Sequence, residues 1–223
     1  MSTDRAGYNP SWTEVIVGAI LSLVLGAVLA AAFLILKPVA TVRELPKEPD
    51  ARVVYYIEGS RDSNRARQAT AKQRTFLQGG TVALNEDELN ALAAPSGANA
   101  AAKPGQAPGT EVSADQMLTA GTPNFRIRDG VLQVGVPVRV SVVGFDRRVI
   151  VQARGGFERS DEGFVFDPDE LYLGSCPVQR LPVVSGMVMK KFLAGAKVPE
   201  DLAAAWSEVS DVKVEGSSLH VTM

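Results

Sequence analysis

The feature that most constrains this chain is an uninterrupted apolar stretch near its start. Residues 15–36 contain no charged side chain and a single serine, Ser22. As an α-helix this stretch would be roughly 33 Å long at ~1.5 Å per residue, against a bilayer hydrocarbon core of about 30 Å. A helix on a soluble core would carry a polar stripe, and this one has none. The sequence therefore predicts one transmembrane helix over 15–37, preceded by a short tail over 1–14.

A cleaved signal peptide is the main alternative to a permanent anchor. Residues 30–32 are all alanine and resemble a small-residue cleavage site. The apolar run nevertheless continues through 33–36, and the preceding tail lacks the basic cluster of a signal peptide. We therefore expect an uncleaved signal anchor and a single-pass membrane protein.

The flanking charges and the layout of the chain favour opposite orientations of the anchor. Arg5 is the one basic residue before the apolar stretch. Four basic residues follow it closely: Lys37, Arg43, Lys47 and Arg52. The positive-inside rule alone would leave the large domain in the cytoplasm. A short tail, one anchor and then a folded domain is the usual plan of a protein that acts outside it. We expect the inner (plasma) membrane and an extracytoplasmic domain, on layout and against the flanking charges.

Small residues recur along the apolar stretch at Gly18, Ser22 and Gly26. This spacing puts them on one helix face, where two such helices can approach closely. A homodimer through these three residues is one expected partner, alongside the lipid bilayer itself. Crosslinking in the membrane would test it.

Composition excludes several classes of function. The net charge is −2, which argues against a nucleic-acid partner because such proteins carry a basic excess. Cys176 is the single cysteine and His220 the single histidine. Neither a thiolate-rich metal site nor a multi-histidine zinc site can form from these counts. No catalytic constellation is present, so we expect a non-enzymatic protein without cofactor or metal.

The remainder of the chain divides into a tether and one domain. Residues 38–52 are rich in proline and alternating charge and predict an extended tether, and 53–223 predict a domain with a flexible loop at about 94–116. A helix over 60–78 is strongly basic. Its cations either contact lipid headgroups or form a solvated face. They are Arg61, Arg65, Arg67, Lys72 and Arg74.

Local patterns predict the elements of this domain. Asn85 and Glu88 form a capping box that starts a helix, and Asp129-Gly130 marks a tight hairpin turn. Apolar residues alternate strictly from Leu132 to Val142, which predicts a half-buried antiparallel strand. Pro137 in this strand predicts an edge position or a bulge. The fold class is α+β: a transmembrane helix, then a curved antiparallel β-meander with helices packed on one face.

Two segments resemble a known group of proteins. They are Leu-Asn-Glu-Asp-Glu-Leu-Asn-Ala-Leu at 84–92 and the Leu-Tyr-Leu-Gly corner at 171–174. With the strand pattern, covering roughly 81–92 and 124–223, the chain resembles uncharacterised bacterial single-pass envelope proteins with a lipid-carrier-like domain.

The resemblance implies an apolar groove between the sheet and a helix at 183–194. The same side chains would equally make a filled core. The implied lining is Leu132, Val134, Val136, Val138, Val140, Val142, Val184, Met187, Val188 and Phe192.

Two functions remain open from the sequence. The first is an envelope protein whose domain binds a lipid or another apolar ligand near the membrane. The second is a scaffold or assembly subunit of a membrane protein complex, without a small-molecule ligand. A lipid that stays bound after gentle extraction would favour the first.

Overall fold

The computed structural model describes residues 11–60, 62–94, 118–142, 145–160, 163–180 and 199–223. It shows an α+β protein in which an apolar N-terminal helix precedes antiparallel sheets. The predicted tail up to residue 10, the predicted loop beyond Ala94 and the predicted helix at 183–194 lie outside the described residues.

The described helices and strands follow one another along the whole chain. The helices are α1 (Trp12–Leu36), α2 (Ala66–Leu77), α3 (Glu86–Ala93) and α4 (Glu200–Ser207), with short 3-10 turns at Ser63–Arg65 and Val178–Arg180. The early strands are β1 (Ala40–Val42), β2 (Tyr55–Ile57) and β3 (Val82–Asn85). The later strands are β4 (Leu118–Ala120), β5 (Asn124–Arg128), β6 (Val131–Val142), β7 (Phe145–Ser160), β8 (Gly163–Leu173), β9 (Cys176–Pro177), β10 (Asp211–Glu215) and β11 (Ser218–Thr222).

Helix α1 is long and apolar enough to cross a membrane, and none of its residues is buried against the protein. It begins three residues before the predicted span. Ser11 is the N-cap: its Oγ accepts from the Glu14 backbone N–H at 3.3 Å, and the Ser11 N–H donates to the Glu14 carboxylate at 2.8 Å. This capping box satisfies free N–H groups of the first turn, so the polar residues before the apolar stretch are helical too.

The large sheet is built around β6 and β7. Its strand order is β4-β6-β7-β8-β9, and β5 also pairs with β6. Because side chains alternate along a strand, β6 has two distinct faces. Leu132 and Val134 define the core face. Gly135, Pro137 and Arg139 lie on the opposite face, which we call the outer face.

Pro137 lies in a central strand and not at an edge. Ala120 of β4 opposes Val138 and Asn124 of β5 opposes Gly135, so three residues (121–123) face two (136–137). The neighbouring chain therefore bulges opposite Pro137, where a missing N–H costs no regular ladder bond. The Pro137 carbonyl still accepts from the Gly121 N–H at 2.7 Å. The edge alternative is wrong, and the irregularity belongs to the partner strand.

Strand β8 runs without a break through Pro168. Its pairing with β7 shifts between Arg154 and Gly155, so that Arg154 opposes Glu170 and Gly155 opposes Pro168. Gly155 permits the shift because a Cβ there would overlap the Asp167 carbonyl oxygen. Pro168 thus lies within a continuous strand, at a β-bulge.

The core lies between the large sheet and a second sheet of order β10-β11-β3. Helices α2 and α4 contribute Phe76 and Trp206, whose rings lie 6.4 Å apart. The Trp206 indole N–H donates to the Phe164 carbonyl at 2.8 Å, which satisfies its one polar atom. The buried members of this cluster are Phe76, Val82, Ile127, Leu132, Val209, Val212, Leu219 and Val221.

Candidate functional site

The end of helix α1 is joined directly to the large sheet. The Ser175 N–H, in the turn between β8 and β9, donates to the Leu34 carbonyl at 3.0 Å. The Ser175 hydroxyl donates to the Lys37 carbonyl at 3.3 Å. Gly174 approaches Ile35 so closely that a Cβ would overlap the Ile35 carbonyl oxygen. The sequence predicted a tether beginning at 38, whereas the structure fixes the chain just before that point.

The chain between α1 and α2 folds back over the outer face. In this arch (residues 38–60), β1 and β2 pair in parallel, with Thr41 opposite Tyr56. Lys37 holds the base of the arch by donating from Nζ to the Arg52 carbonyl at 2.7 Å. Tyr56 is 4% exposed and lies against Gly135, where a Cβ would overlap its ring. The predicted extended tether is therefore a part of the fold.

A buried polar network holds the far end of the arch. The Tyr56 hydroxyl donates to Asn124 Oδ1 at 3.1 Å, and the Gly59 N–H donates to the same oxygen at 2.7 Å. Asn90, 1% exposed, accepts from the Phe125 N–H at 2.7 Å and donates to the Phe125 carbonyl at 2.7 Å. Its Oδ1 also accepts from Asn124 Nδ2 at 3.2 Å. One asparagine on α3 thus pairs with the backbone of β5 as a strand would.

The acidic start of α3 binds three other segments. Glu86 accepts from the backbone N–H groups of Ser60 and Ile127, the latter at 3.1 Å, and Asp87 accepts from the Ser60 hydroxyl at 2.7 Å. Glu88 is 1% exposed and receives Lys72 Nζ at 2.7 Å. The sequence explains these carboxylates by helix capping and by the helix dipole. The capping box of Asn85 and Glu88 is confirmed, and the carboxylates also connect the arch to β5 and α2.

An open cavity of about 2010 Å³ lies under the arch, beside the end of α1. It is bounded by Lys37 at the end of α1, the arch, the outer face of the large sheet, the start of α3 and the turn between β10 and β11. Its apolar surface includes Val39, Pro137 and Ile150. Its cationic residues are Lys37, Arg43, Arg126, Arg128, Arg139 and Arg148, and its acidic residues are Glu44, Glu58, Glu86, Asp87, Asp129 and Asp146.

Positive charge is crowded at both ends of the outer face. Burial, and next the charge of Arg128, lower the pKa of Arg126 below its ordinary value, although Glu86 acts in the opposite direction. At the other end, Arg139 of β6 lies directly opposite Arg148 of β7. Like charges that face each other across a ladder repel. Each end of this face therefore carries a local pair of like charges.

The apolar residues predicted to line a groove lie at packed positions where they are described. Leu132 and Val134 belong to the core between the sheets, and Val138 packs on a second cluster of Val151, Ala153, Leu171 and Val178. Val136 is buried and Val140 half-buried. The side chain of Val142 and the residues Val184, Met187, Val188 and Phe192 lie outside the described part. A groove between the sheet and that helix stays a prediction.

The cations predicted to contact headgroups are not equivalent. The Lys72 ammonium donates to the Glu88 carboxylate at 2.7 Å and to the Ala83 carbonyl at 2.6 Å. Arg65 donates to Gln68 at 2.8 Å. Arg67 and Arg74 are exposed on α2, and Arg61 lies outside the described residues. Arg67 and Arg74 form no salt bridge with another described residue.

Neither single-copy residue lies in a reactive arrangement. Cys176 is buried, and burial raises the pKa of its thiol, which disfavours the thiolate. His220 is half-buried in β11 between Lys213 and Ala83. Among the residues that the structure describes, no group of three or more His, Cys, Asp or Glu side chains could hold a metal ion.

Comparison with protein families, with curated protein sequences and with solved structures finds no match for this chain. The resemblance to envelope proteins therefore stays a prediction from sequence.

Proposed function

We propose that this chain is a membrane-anchored, non-enzymatic protein that holds a membrane lipid in the cavity under the arch. One observation carries the proposal: an open cavity of about 2010 Å³ borders the end of a helix long and apolar enough to cross a bilayer. Small-molecule sites typically occupy about 300–1,000 Å³, so this cavity suits a larger ligand.

The lining of the cavity fits an amphipathic ligand. Val39, Pro137 and Ile150 offer apolar surface next to the chain that leaves α1, and Arg139 and Arg148 lie on the same face of the sheet. A lipid likewise combines an apolar acyl chain with a charged headgroup. These residues support a ligand position on the outer face of β6, since Leu132 and Val134 of the core face pack between the sheets.

Tryptophan at Ile150 is expected to displace the lipid. Ile150 is half-buried and lines the cavity opposite Pro137, so a larger ring there occupies ligand volume. Full-length protein extracted gently from membranes should carry lipid in native mass spectrometry. Ile150→Trp should carry about tenfold less, the loss expected from ~1.4 kcal/mol of binding energy.

Val165→Trp is the matched control for that substitution. Val165 is 43% exposed and does not line the cavity, so its variant should keep the lipid. Wild-type protein that emerges without any lipid, or equal lipid in both variants, would refute a ligand site in this cavity.

We further propose that α1 is an uncleaved anchor in the inner (plasma) membrane, with the domain outside the cytoplasm. The layout of the chain supports this orientation, although the basic residues after α1 oppose it. Uncleaved protein, identified by its full-length mass, should stay in the membrane fraction after alkaline washing. A reporter fused after Met223 should be active only outside the cytoplasm. A soluble product with its first forty residues intact contradicts the anchor, and a cytoplasmic reporter contradicts the orientation.

A further inference from the structure

We propose that the bound lipid is anionic and that Arg139 and Arg148 bind its headgroup phosphate. The inference rests on the proposed lipid site and names the chemistry of the ligand. It begins from the register of the large sheet, in which Arg139 and Arg148 are direct partners across β6 and β7. Directly opposed residues have Cβ atoms only about 5 Å apart, so the two guanidinium groups can reach one common anion.

The charge of this pair is incompletely neutralised by the protein. Asp146 Oδ1 lies 3.4 Å from Arg139 Nε, and both side chains are more than half exposed. Within the described residues, no salt bridge is formed by Arg148. Asp146 thus offsets the charge of Arg139, and Arg148 has no such partner among the salt bridges of the described residues. A sheet that places like charges opposite each other gains stability when an anion binds between them.

The pair lies close in the chain to the point where the large sheet meets the end of α1. Gly174, which abuts Ile35 at the end of α1, donates to the Ile150 carbonyl at 2.8 Å. Arg148 lies two residues from Ile150 on the same strand, about 7 Å at ~3.3 Å per residue. The headgroup layer extends roughly 5–7 Å beyond the hydrocarbon core on each side. A lipid whose acyl chain reaches Ile150 therefore has its phosphate within reach of Arg148.

Arginine is the residue whose geometry best suits this ligand. A guanidinium group donates two parallel hydrogen bonds to a phosphate, and a pair of them can enclose it. The other crowded end of the outer face is less suited. Arg126 has Glu86 and Asp129 as charged neighbours, and Arg154 lies opposite Glu170. Carboxylates there already compete with an incoming phosphate for the guanidinium groups.

The test uses full-length protein in nanodiscs of phosphatidylcholine mixed with a minority of phosphatidylglycerol. Native mass spectrometry of the extracted protein reports how much lipid is bound and of which kind. Wild-type protein should enrich phosphatidylglycerol about tenfold over its share of the nanodisc, the ratio expected from one charge-assisted contact. The double variant Arg139→Gln, Arg148→Gln should still bind lipid, in the bulk proportions of the nanodisc.

The double variant Arg159→Gln, Lys213→Gln is the matched control. It removes the same charge at two exposed positions that do not line the cavity and should leave the enrichment unchanged. Loss of enrichment in this variant, or its persistence without Arg139 and Arg148, overturns the assignment. Bound lipid without any headgroup preference also overturns it but leaves the proposed function intact. Wild-type protein that binds no lipid in these nanodiscs refutes the proposed function itself.

Discussion

Replacing Asn90 with alanine is expected to lower the free energy of unfolding by about 4 kcal/mol. The Asn90 side chain is 1% exposed and makes four hydrogen bonds: with the Ser60 carbonyl, the Phe125 carbonyl, the Phe125 N–H and Asn124 Nδ2. Alanine removes all four and adds no partner. Each buried polar group left unpaired costs about 1–3 kcal/mol, so several such groups exceed the effect of a typical substitution.

Urea unfolding of the detergent-solubilised full chain, followed by tryptophan fluorescence, measures this loss. Trp206 is a suitable reporter because it packs in the core between the sheets. Asn64→Ala is the control, since Asn64 is exposed and its backbone N–H, which the substitution keeps, donates to Asp62 Oδ1 at 2.9 Å. It should change stability by less than about 0.5 kcal/mol. A comparable loss in both variants would show that the network around Asn90 contributes no special stability.

Features with a local cause were predictable from sequence. The charge-free stretch gave α1, and the capping box at Asn85 gave the start of α3. At Asp129 and Gly130 both φ angles are positive, 54° and 72°, as a type I′ turn requires. Inward residues of α4, Leu202 and Trp206, pack on the core as their helical spacing predicts. In each case the residues that determine the structure are neighbours in the chain.

The arch was not predictable because its contacts join distant residues. Tyr56 and Asn124 are 68 positions apart, and Asn90 and Phe125 are 35 apart. An asparagine inside a short amphipathic helix has no sequence signal that distinguishes a buried network member from a solvated amide. Residues 38–52, in turn, are rich in proline and charge, which is the composition of a linker.

The choice between the two faces of β6 illustrates a limit of periodicity. Alternation from Leu132 to Val142 identifies two faces but does not say what covers the less apolar one. Gly135 carried the missing signal, because glycine inside a strand often marks the close approach of another group. In the structure that group is the Tyr56 ring. The candidate site lies on this second face, which the apolar pattern alone does not select.

Replacing Gly174 with alanine is expected to open the joint between α1 and the sheet, at a cost of about 3 kcal/mol. Gly174 has φ +59°, and a residue with a Cβ pays roughly 1–2 kcal/mol for that left-handed conformation. The new methyl group would also overlap the Ile35 carbonyl oxygen, which displaces the helix end and breaks the bond from Ser175 to Leu34, worth about 1 kcal/mol.

Limited proteolysis of the arch together with urea unfolding would measure the opening of this joint. The arch should be cut about a hundredfold faster in the variant, because a loss of ~3 kcal/mol in local stability raises the open population by about two orders of magnitude. Gly156→Ala is the matched control: its Cβ would meet no atom within 4 Å, so cleavage and stability should stay close to wild type. Equal cleavage in both variants would mean that the arch is held by the network around Tyr56 and Asn90 alone. The end of α1 would then be free to move beneath the cavity, and the cavity would have no fixed depth in the bilayer.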